Sequence, residues 1–333
     1  MKITSAEIAR LANVSRSTVS RVINNYSNVP VETREKVMKV IEQYGYEPNQ
    51  FAQVLAGKAN REIVLCISNC DEAKARWKGA MSSYYLRMVG ELITQAKDFG
   101  YTISAFVVSE PSELSKIENM YLSRTIIGGI FGGFEFEMQA INQLIEKGFN
   151  MAVIDPDCHM IEADNVSGIY SENKDAGYMA TRYLLELGEK KIAHISGDDR
   201  LSSQDRLAGY RKAMEEAGYD ENSLMVENGN FDSTQSYAAA IKVLKEGATS
   251  IFAANDLMAI AAMRAAADLD LRVPEDIKIV GCDFSAEYRE VGYYLTSVEI
   301  SMYEIAQAAL KSVSGIEKGR HICLPKFIKG KTA

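Results

Sequence analysis

Two kinds of hydrophobic pattern alternate along the chain from Glu62 onward. The first is a set of short, continuous apolar runs: EIVLCIS, YTISAFVV, TIIGGIF, FNMAVID, NVSGIYS, KKIAHIS, SLMVENG, TSIFAAN, IKIVGCD and LTSVEI. The second is a set of longer stretches in which apolar residues recur every three or four positions, including SYYLRMVGELITQAKDFG, FEMQAINQLIEKG, AGYMATRYLLELG, LAGYRKAMEEAG, TQSYAAAIKVLKEG and LMAIAAMRAAADL. The runs predict strands buried on both faces and the stretches predict helices between them. Such alternation implies βαβ units and parallel sheets, hence an α/β fold. Ten strands are too many for one comfortable sheet, so two lobes are expected, with any ligand at the carboxyl ends of the strands.

The first 60 residues follow a different rhythm. Thr4-Ser5-Ala6-Glu7 is a capping box for a helix whose apolar face is Ile8, Ala9, Leu11 and Ala12. Asn13 tolerates the left-handed backbone of a tight turn. Ser15 can cap a second helix, over about residues 16–24, that keeps Val19, Val22 and Ile23 inward. Ala9, Asn13 and Val19 thus occupy the small, turn and core positions of a helix-turn-helix, an ordinary helical hairpin being the alternative on spacing alone. A third helix, Val31–Tyr44, carries Val37, Val40 and Ile41 on one face and stops at Gly45. After it NQFAQVLAGK is amphipathic but poor in core-sized residues. The expected organisation is a helix-turn-helix domain at 1–46, a hinge with helical potential at 47–60 and a body at 61–333.

Charge sharpens that division. The chain of 333 residues has a net charge of −8, which alone argues against a nucleic-acid partner. Residues 1–61, however, hold nine Lys/Arg against five Asp/Glu, a balance of +4 that leaves −12 on the remainder. A small basic head on an acidic body suits a polyanion-binding domain. The five cysteines are odd in number and never in a C-x-x-C pair; with three scattered histidines they predict neither a disulfide framework nor a metal site. No cofactor is expected. No run approaches a membrane span and no apolar signal core opens the chain, so a cytoplasmic protein without a membrane partner is expected.

The segment TSAEIARLANVSRSTVSRVINNYSNVPVETREKVMKVIEQYGYEPN resembles the DNA-binding head of the lactose-repressor/galactose-repressor family of bacterial transcription regulators, through IARLANVS, TVSRVIN, V-x-x-x-T-R-x-x-V, GYEPN and the hinge AQVLAG. Asn13 replaces the family's usual turn glycine. YLLELGEKKIAHISG, RLAGYRKAMEEAG, FAANDLMAIAAMRA, LRVPEDIKIVGCD and LTSVEI extend the resemblance over nearly the whole chain; it is weakest at residues 69–83. It implies a two-lobed periplasmic-binding-protein-like body, with crossovers near 165, 290 and 320, and a dimer without a tetramer-forming helix.

The resemblance also implies roles. The second helix enters the major groove, with Ser15, Arg16, Ser17, Thr18, Ser20, Arg21 and Asn24 from it, and Thr33 from the third helix, at DNA-contacting positions. Arg16 and Ser17 vary between members and read base edges, whereas Arg21 matches a nearly fixed contact. Arginine is the best bidentate partner for guanine, and serine hydroxyls suit bases or phosphates. Ser15 also suits a cap, and Arg16 a phosphate. Ala52 and Leu55 share a hinge face, Leu55 standing where the family wedges a leucine into the minor groove. Asp155, Arg206, Phe231, Asn255 and Asp283 match positions that line the effector site, and Tyr84 and Tyr85 replace a Phe-Phe pair beside it. Carboxylates, an amide and a guanidinium beside an aromatic face suit a hydroxylated ring. Simpler roles stay open: Asp155 on loop amides, Tyr85 in the core, Asp256 as a helix cap. Phe284 stands where the family has a second Asp.

The function expected is a sequence-specific regulator, a repressor of carbohydrate-utilisation genes. It would bind a pseudo-palindromic double-stranded operator as a homodimer and answer to a sugar-like effector. A sugar-transport protein would need a signal peptide and no head. A nucleotide-dependent enzyme would need a phosphate fingerprint, which IIGGIFGGFE does not satisfy, and no catalytic constellation is found.

Overall fold

Helix α1 (Ser5–Leu11) begins at the capping box: Thr4 Oγ1 accepts from the Glu7 amide at 3.3 Å and Glu7 Oε2 accepts from the Thr4 amide at 2.8 Å. Asn13 makes the turn at φ 52°, and Ser15 Oγ caps α2 (Arg16–Ile23) by accepting from the Thr18 amide at 3.0 Å. Helix α3 (Val31–Tyr44) ends at Gly45, whose φ of 57° continues the chain in the left-handed region. Ile8, Ala9, Ala12, Val19, Val22, Val29 and Val37 form the small core that these helices share.

The computed structural model describes residues 3–23, 26–46, 61–68, 83–133, 138–157, 159–284, 288 and 292–333. The chain divides into two units, Met1–Asn60 and Arg61–Ala333. Asn24, Ala52, Leu55, the segment at 69–82 and position 290 itself lie outside the described residues.

In chain order the second unit contains β1 (Glu62–Ser68), α4 (Ser83–Ala96), β2 (Thr102–Val108), α5 (Leu114–Leu122), β3 (Gly128–Gly132), α6 (Met138–Glu146), β4 (Met151–Ile154), β5 (Val166–Ser171) and α7 (Asn173–Glu186). There follow β6 (Ile192–Ser196), α8 (Leu201–Glu216), β7 (Met225–Asn228), α9 (Ser233–Lys245), β8 (Ser250–Ala253), α10 (Asp256–Asp268), β9 (Lys278–Cys282), β10 (Thr296–Glu299), α11 (Met302–Val313), β11 (Arg320–Cys323) and β12 (Lys326–Ile328). All ten predicted strands are present. Two six-stranded sheets result, ordered β11-β5-β4-β3-β1-β2 and β12-β10-β9-β8-β6-β7. The second repeats the first, except that β11 runs parallel to β5 while β12 runs antiparallel to β10. A hydrophobic cluster containing Leu65, Ile130, Phe252, Val280 and Val298 spans both sheets, and a further cluster covers the other face of each.

The crossings between lobes, expected near 165, 290 and 320, follow completed strands. Helix α7 packs on β8, β9 and β10, and α11 packs on β3, β4 and β5. The chain therefore crosses after Ser171, after Glu299 and after Cys323. Position 165 precedes β5, whose residues Val166 to Ile169 pair with β4, and 320 begins β11. A strand completes its ladder before the chain leaves the sheet, so the crossover follows the pairing. Helices α5 and α11 and strands β11 and β12 were not in the pattern-based set. In β11 one residue of four is buried, too little for a periodic signal. The doublet Gly128-Gly129 lets α11 close on β3: a Cβ on Gly128 would stand 2.3 Å from a Val313 methyl.

Candidate functional site

On the head, α2 turns Arg16, Ser17, Ser20 and Arg21 to the surface while Val19 and Val22 are buried. Its first turn carries no acidic residue, leaving the positive end of the helix open to an anion. Several of these groups already have local partners. Ser15 Oγ, besides capping, lies 2.7 Å from Ser17 Oγ and 2.8 Å from Thr18 Oγ1, and Arg16 Nε donates to Ser5 Oγ at 3.1 Å. Ser15 is thus the helix cap, and the exposed Arg16 is held toward α1 through its Nε. Thr33 lies half-buried in the first turn of α3, next to Arg34, which donates to the Tyr26 carbonyl oxygen at 2.6 Å.

In the body, the carboxyl ends of β4 and β9 bring two aspartates to the seam between lobes. Asp155 follows β4 at φ 47° and Asp283 follows β9 at φ 96°, both in the left-handed region that non-glycine residues seldom adopt. Asp155 Oδ1 accepts from the Ser171 amide at 2.7 Å, and its Oδ2 accepts from Ser171 Oγ and Tyr84 Oη, each at 3.2 Å. Burial raises the Asp155 carboxyl pKa against the opposing pull of these hydrogen bonds and of Arg206. Burial also pushes the Tyr84 phenol well up, with the Asp155 charge acting in the same direction.

Arg206 is 4% exposed and is satisfied from three sides. Its Nε donates to Asn173 Oδ1 at 2.9 Å, Nη1 to the Ala254 carbonyl oxygen at 2.5 Å, and Nη2 to Asp283 Oδ1 at 2.9 Å. Burial works against its charge, but Cys282 and Asp283 outweigh that and raise its pKa. Arg206 reaches this place because α7 and α8 meet backbone to backbone. A Cβ on Gly177 would stand 2.0 Å from the Arg206 carbonyl oxygen, and one on Gly209 2.1 Å from that of Lys174.

Other expected site residues take different positions. Asn255, expected on the ligand, caps α10 by accepting from the Met258 amide at 3.0 Å, leaving its amide Nδ2 as the remaining donor. Asp256, weighed as that cap, is instead buried and accepts from Ser297 Oγ at 2.6 Å. Asn255 has the extended backbone of an N-cap, so the carboxylate one residue later points under the helix. Tyr85 lies over Gly132 and Gly133, crosses Tyr84 edge to face at 5.2 Å and packs on the shared core, which is the core role left open for it. Phe231, at φ 51°, rests its ring on Gly197, with the Arg200 guanidinium 5.2 Å over the ring. Arg200 is itself gripped by Asp198 at 3.0 and 2.8 Å.

Asn173, Ser171 and Arg87 belong to the site and were missed. Arg87 Nη1 donates across the lobes to the Asp283 carbonyl oxygen at 3.2 Å. An arginine one position before the buried Met88, in an otherwise apolar segment, was the available signal. The described cysteines, Cys66, Cys282 and Cys323, are free and buried; burial pushes the first two to about 12.

Residues 4–49 match the model for bacterial regulatory proteins of the lacI family, and residues 181–320 match that for a periplasmic binding protein-like domain. Over 334 aligned positions the chain is 29% identical to the HTH-type transcriptional regulator DegA of Bacillus subtilis (strain 168), covering 98% of this chain and 95% of that one. The chain belongs to the lacI family of bacterial regulatory proteins. Among solved structures, the lac repressor dimer bound to operator and the anti-inducer ONPF is similar at a TM-score of 0.81 and 25% identity, over 100% of this chain and 99% of that one. A transcriptional regulator CelR–cellobiose complex is similar at 0.67 and 26%, over 100% of both. The lacI family comprises DNA-binding transcription regulators rather than enzymes, and this member has both the head and the two-sheet body. Among its described residues, no helix is long and apolar enough to cross a membrane.

Proposed function

We infer that this lacI-family regulator represses transcription by binding a pseudo-palindromic double-stranded operator as a homodimer in the cytoplasm, and that a hydroxylated effector of the carbohydrate class controls it from between the lobes. The observation that carries the reading is that Tyr84 and Asp155 from one lobe come within electrostatic reach of Arg206 and Asp283 from the other, in a chain that also bears a DNA-binding head. The solved CelR relative holds cellobiose and the lac repressor relative holds operator, which supports both halves of the proposal. Ser17, Ser20, Arg16, Arg21 and Thr33 would contact DNA. Ser15, Thr18 and Asn24 would support them, and Ala52 and Leu55 would form the minor-groove hinge. Two-fold protein symmetry would be mirrored in the site.

Fluorescence anisotropy on DNA from upstream of the gene, with and without added sugars, tests the reading. Arg21→Ala should weaken binding to most sequences, and Arg16→Ala should mainly alter base preference. Binding that ignores both substitutions, or that no sugar or sugar derivative relieves, refutes it.

A further inference from the structure

Arg87 stands on α4 one turn beyond Tyr84, where its side chain reaches across the seam between the lobes, and its hydrogen bonding is incomplete. Nη1 meets the Asp283 carbonyl oxygen, but Nε and Nη2 are closed off from solvent and meet no acceptor among the described residues. A guanidinium carries five N–H donors and cannot shed its charge. Buried donors are nearly always paired, and a buried charge calls for a countercharge. The nearby carboxylates are already engaged: Asp283 Oδ1 by Arg206, and Asp155 by Tyr84 and Ser171. The two unmatched nitrogens lie on one edge of the guanidinium, the planar fork that fits a pair of anionic oxygens.

We propose that the effector carries an anionic oxygen group, a sugar carboxylate or a sugar phosphate, received by the Nε and Nη2 fork of Arg87. The proposal rests on the inter-lobe effector site inferred above and narrows its ligand class. A neutral sugar supplies acceptor oxygens but no countercharge. An acidic sugar supplies both, while its hydroxyls meet Tyr84 and Asp155.

Two measurements on the full-length protein decide it. In thermal shift at constant ionic strength, inorganic sulfate exchanged for chloride should raise the wild-type melting temperature saturably. Arg87→Met should not respond, and Arg87→Lys, which keeps the charge and loses the fork, should respond weakly. Without sulfate, Arg87→Met should melt at or above the wild-type temperature, because it removes unmatched buried donors. Calorimetry should then compare glucose and galactose with glucuronate, galacturonate and the corresponding hexose 6-phosphates. Binding is expected from the acidic members and should weaken about 10- to 100-fold in Arg87→Met. Uronates bound in preference to phosphates assign a carboxylate, and the reverse assigns a phosphate. Neutral sugars bound as tightly as their acidic counterparts, acid binding unchanged in Arg87→Met, or a ligand-free Arg87→Met that melts several degrees lower would each overturn the anion fork and leave the inter-lobe site standing. Absence of any ligand or sulfate effect on the wild type would overturn both.

Discussion

Strands β4 and β9 hold the same place in their sheets, and each ends in an aspartate that turns the chain through positive φ. The backbone is repeated closely: the Asp155 amide donates to the Ile169 carbonyl oxygen at 2.7 Å, and the Asp283 amide to that of Val298 at 2.8 Å. The side chains meet opposite chemistry. Asp155 faces a phenol, a serine hydroxyl and an amide, and burial raises its carboxyl pKa while these donors pull it down; Asp283 faces the buried Arg206 guanidinium. Duplicated strand ends therefore specify where two carboxyls go. The partners, contributed by α4 and β5 in one lobe and by α8 in the other, decide that one carboxyl is held by neutral donors and the other is half of an ion pair.

The largest test applies one substitution at both places. Asp283→Asn leaves the Arg206 charge buried without its partner and should cost about 3–5 kcal/mol in urea unfolding. Asp155→Asn breaks no direct ion pair and should cost about 1 kcal/mol, the value of a rearranged hydrogen bond. Equal losses at the two sites would break the comparison. Gly209→Ala should come next, at about 1–3 kcal/mol, because the new methyl overlaps the Lys174 carbonyl oxygen and drives α8, with Arg206, off α7. If it unfolds like the parent, the glycine contact does not position Arg206.

The lobes should also differ in acid. His194 in β6 is fully buried, its Nδ1 3.0 Å from the Phe252 carbonyl oxygen, and burial lowers its pKa to about 3. An unfolded histidine titrates near 6.5. Its contribution to stability is therefore present above pH 6.5 and is lost as pH falls toward 3, reaching about 2 kcal/mol at pH 5. The buried run of β1 offers only Cys66, silent in that range. His194→Phe should flatten the fall in stability between pH 6.5 and 5; an unchanged slope places the acid-sensitive group elsewhere. The smallest effect is expected for Tyr84→Phe, about 0.5–1.5 kcal/mol through the lost hydrogen bond to Asp155. A cost as large as that of Asp283→Asn would show that Asp155 depends on Tyr84 as Asp283 does on Arg206.

What the sequence determined by itself was whatever depends on neighbours a few residues away. The Thr4–Glu7 box, the Asn13 turn, the Gly45 stop and the continuous apolar strands were legible because caps, left-handed turns and strand burial are decided locally. Asp155 and Asp283 were legible as the polar residues that close apolar runs. The tertiary structure decided what depends on partners far along the chain. Arg206 meets Asp283 across 77 positions and Arg87 meets it across 196, and no periodicity encodes such pairs. The passing of the cap from Asp256 to Asn255 left Asp256 to Ser297, 41 residues beyond, and the crossings followed which strand edges remained to be paired. Helix and strand patterns report burial along one element. The protonation and reach of a site residue depend on the field and hydrogen bonds of several elements at once, which exist only after the lobes have packed.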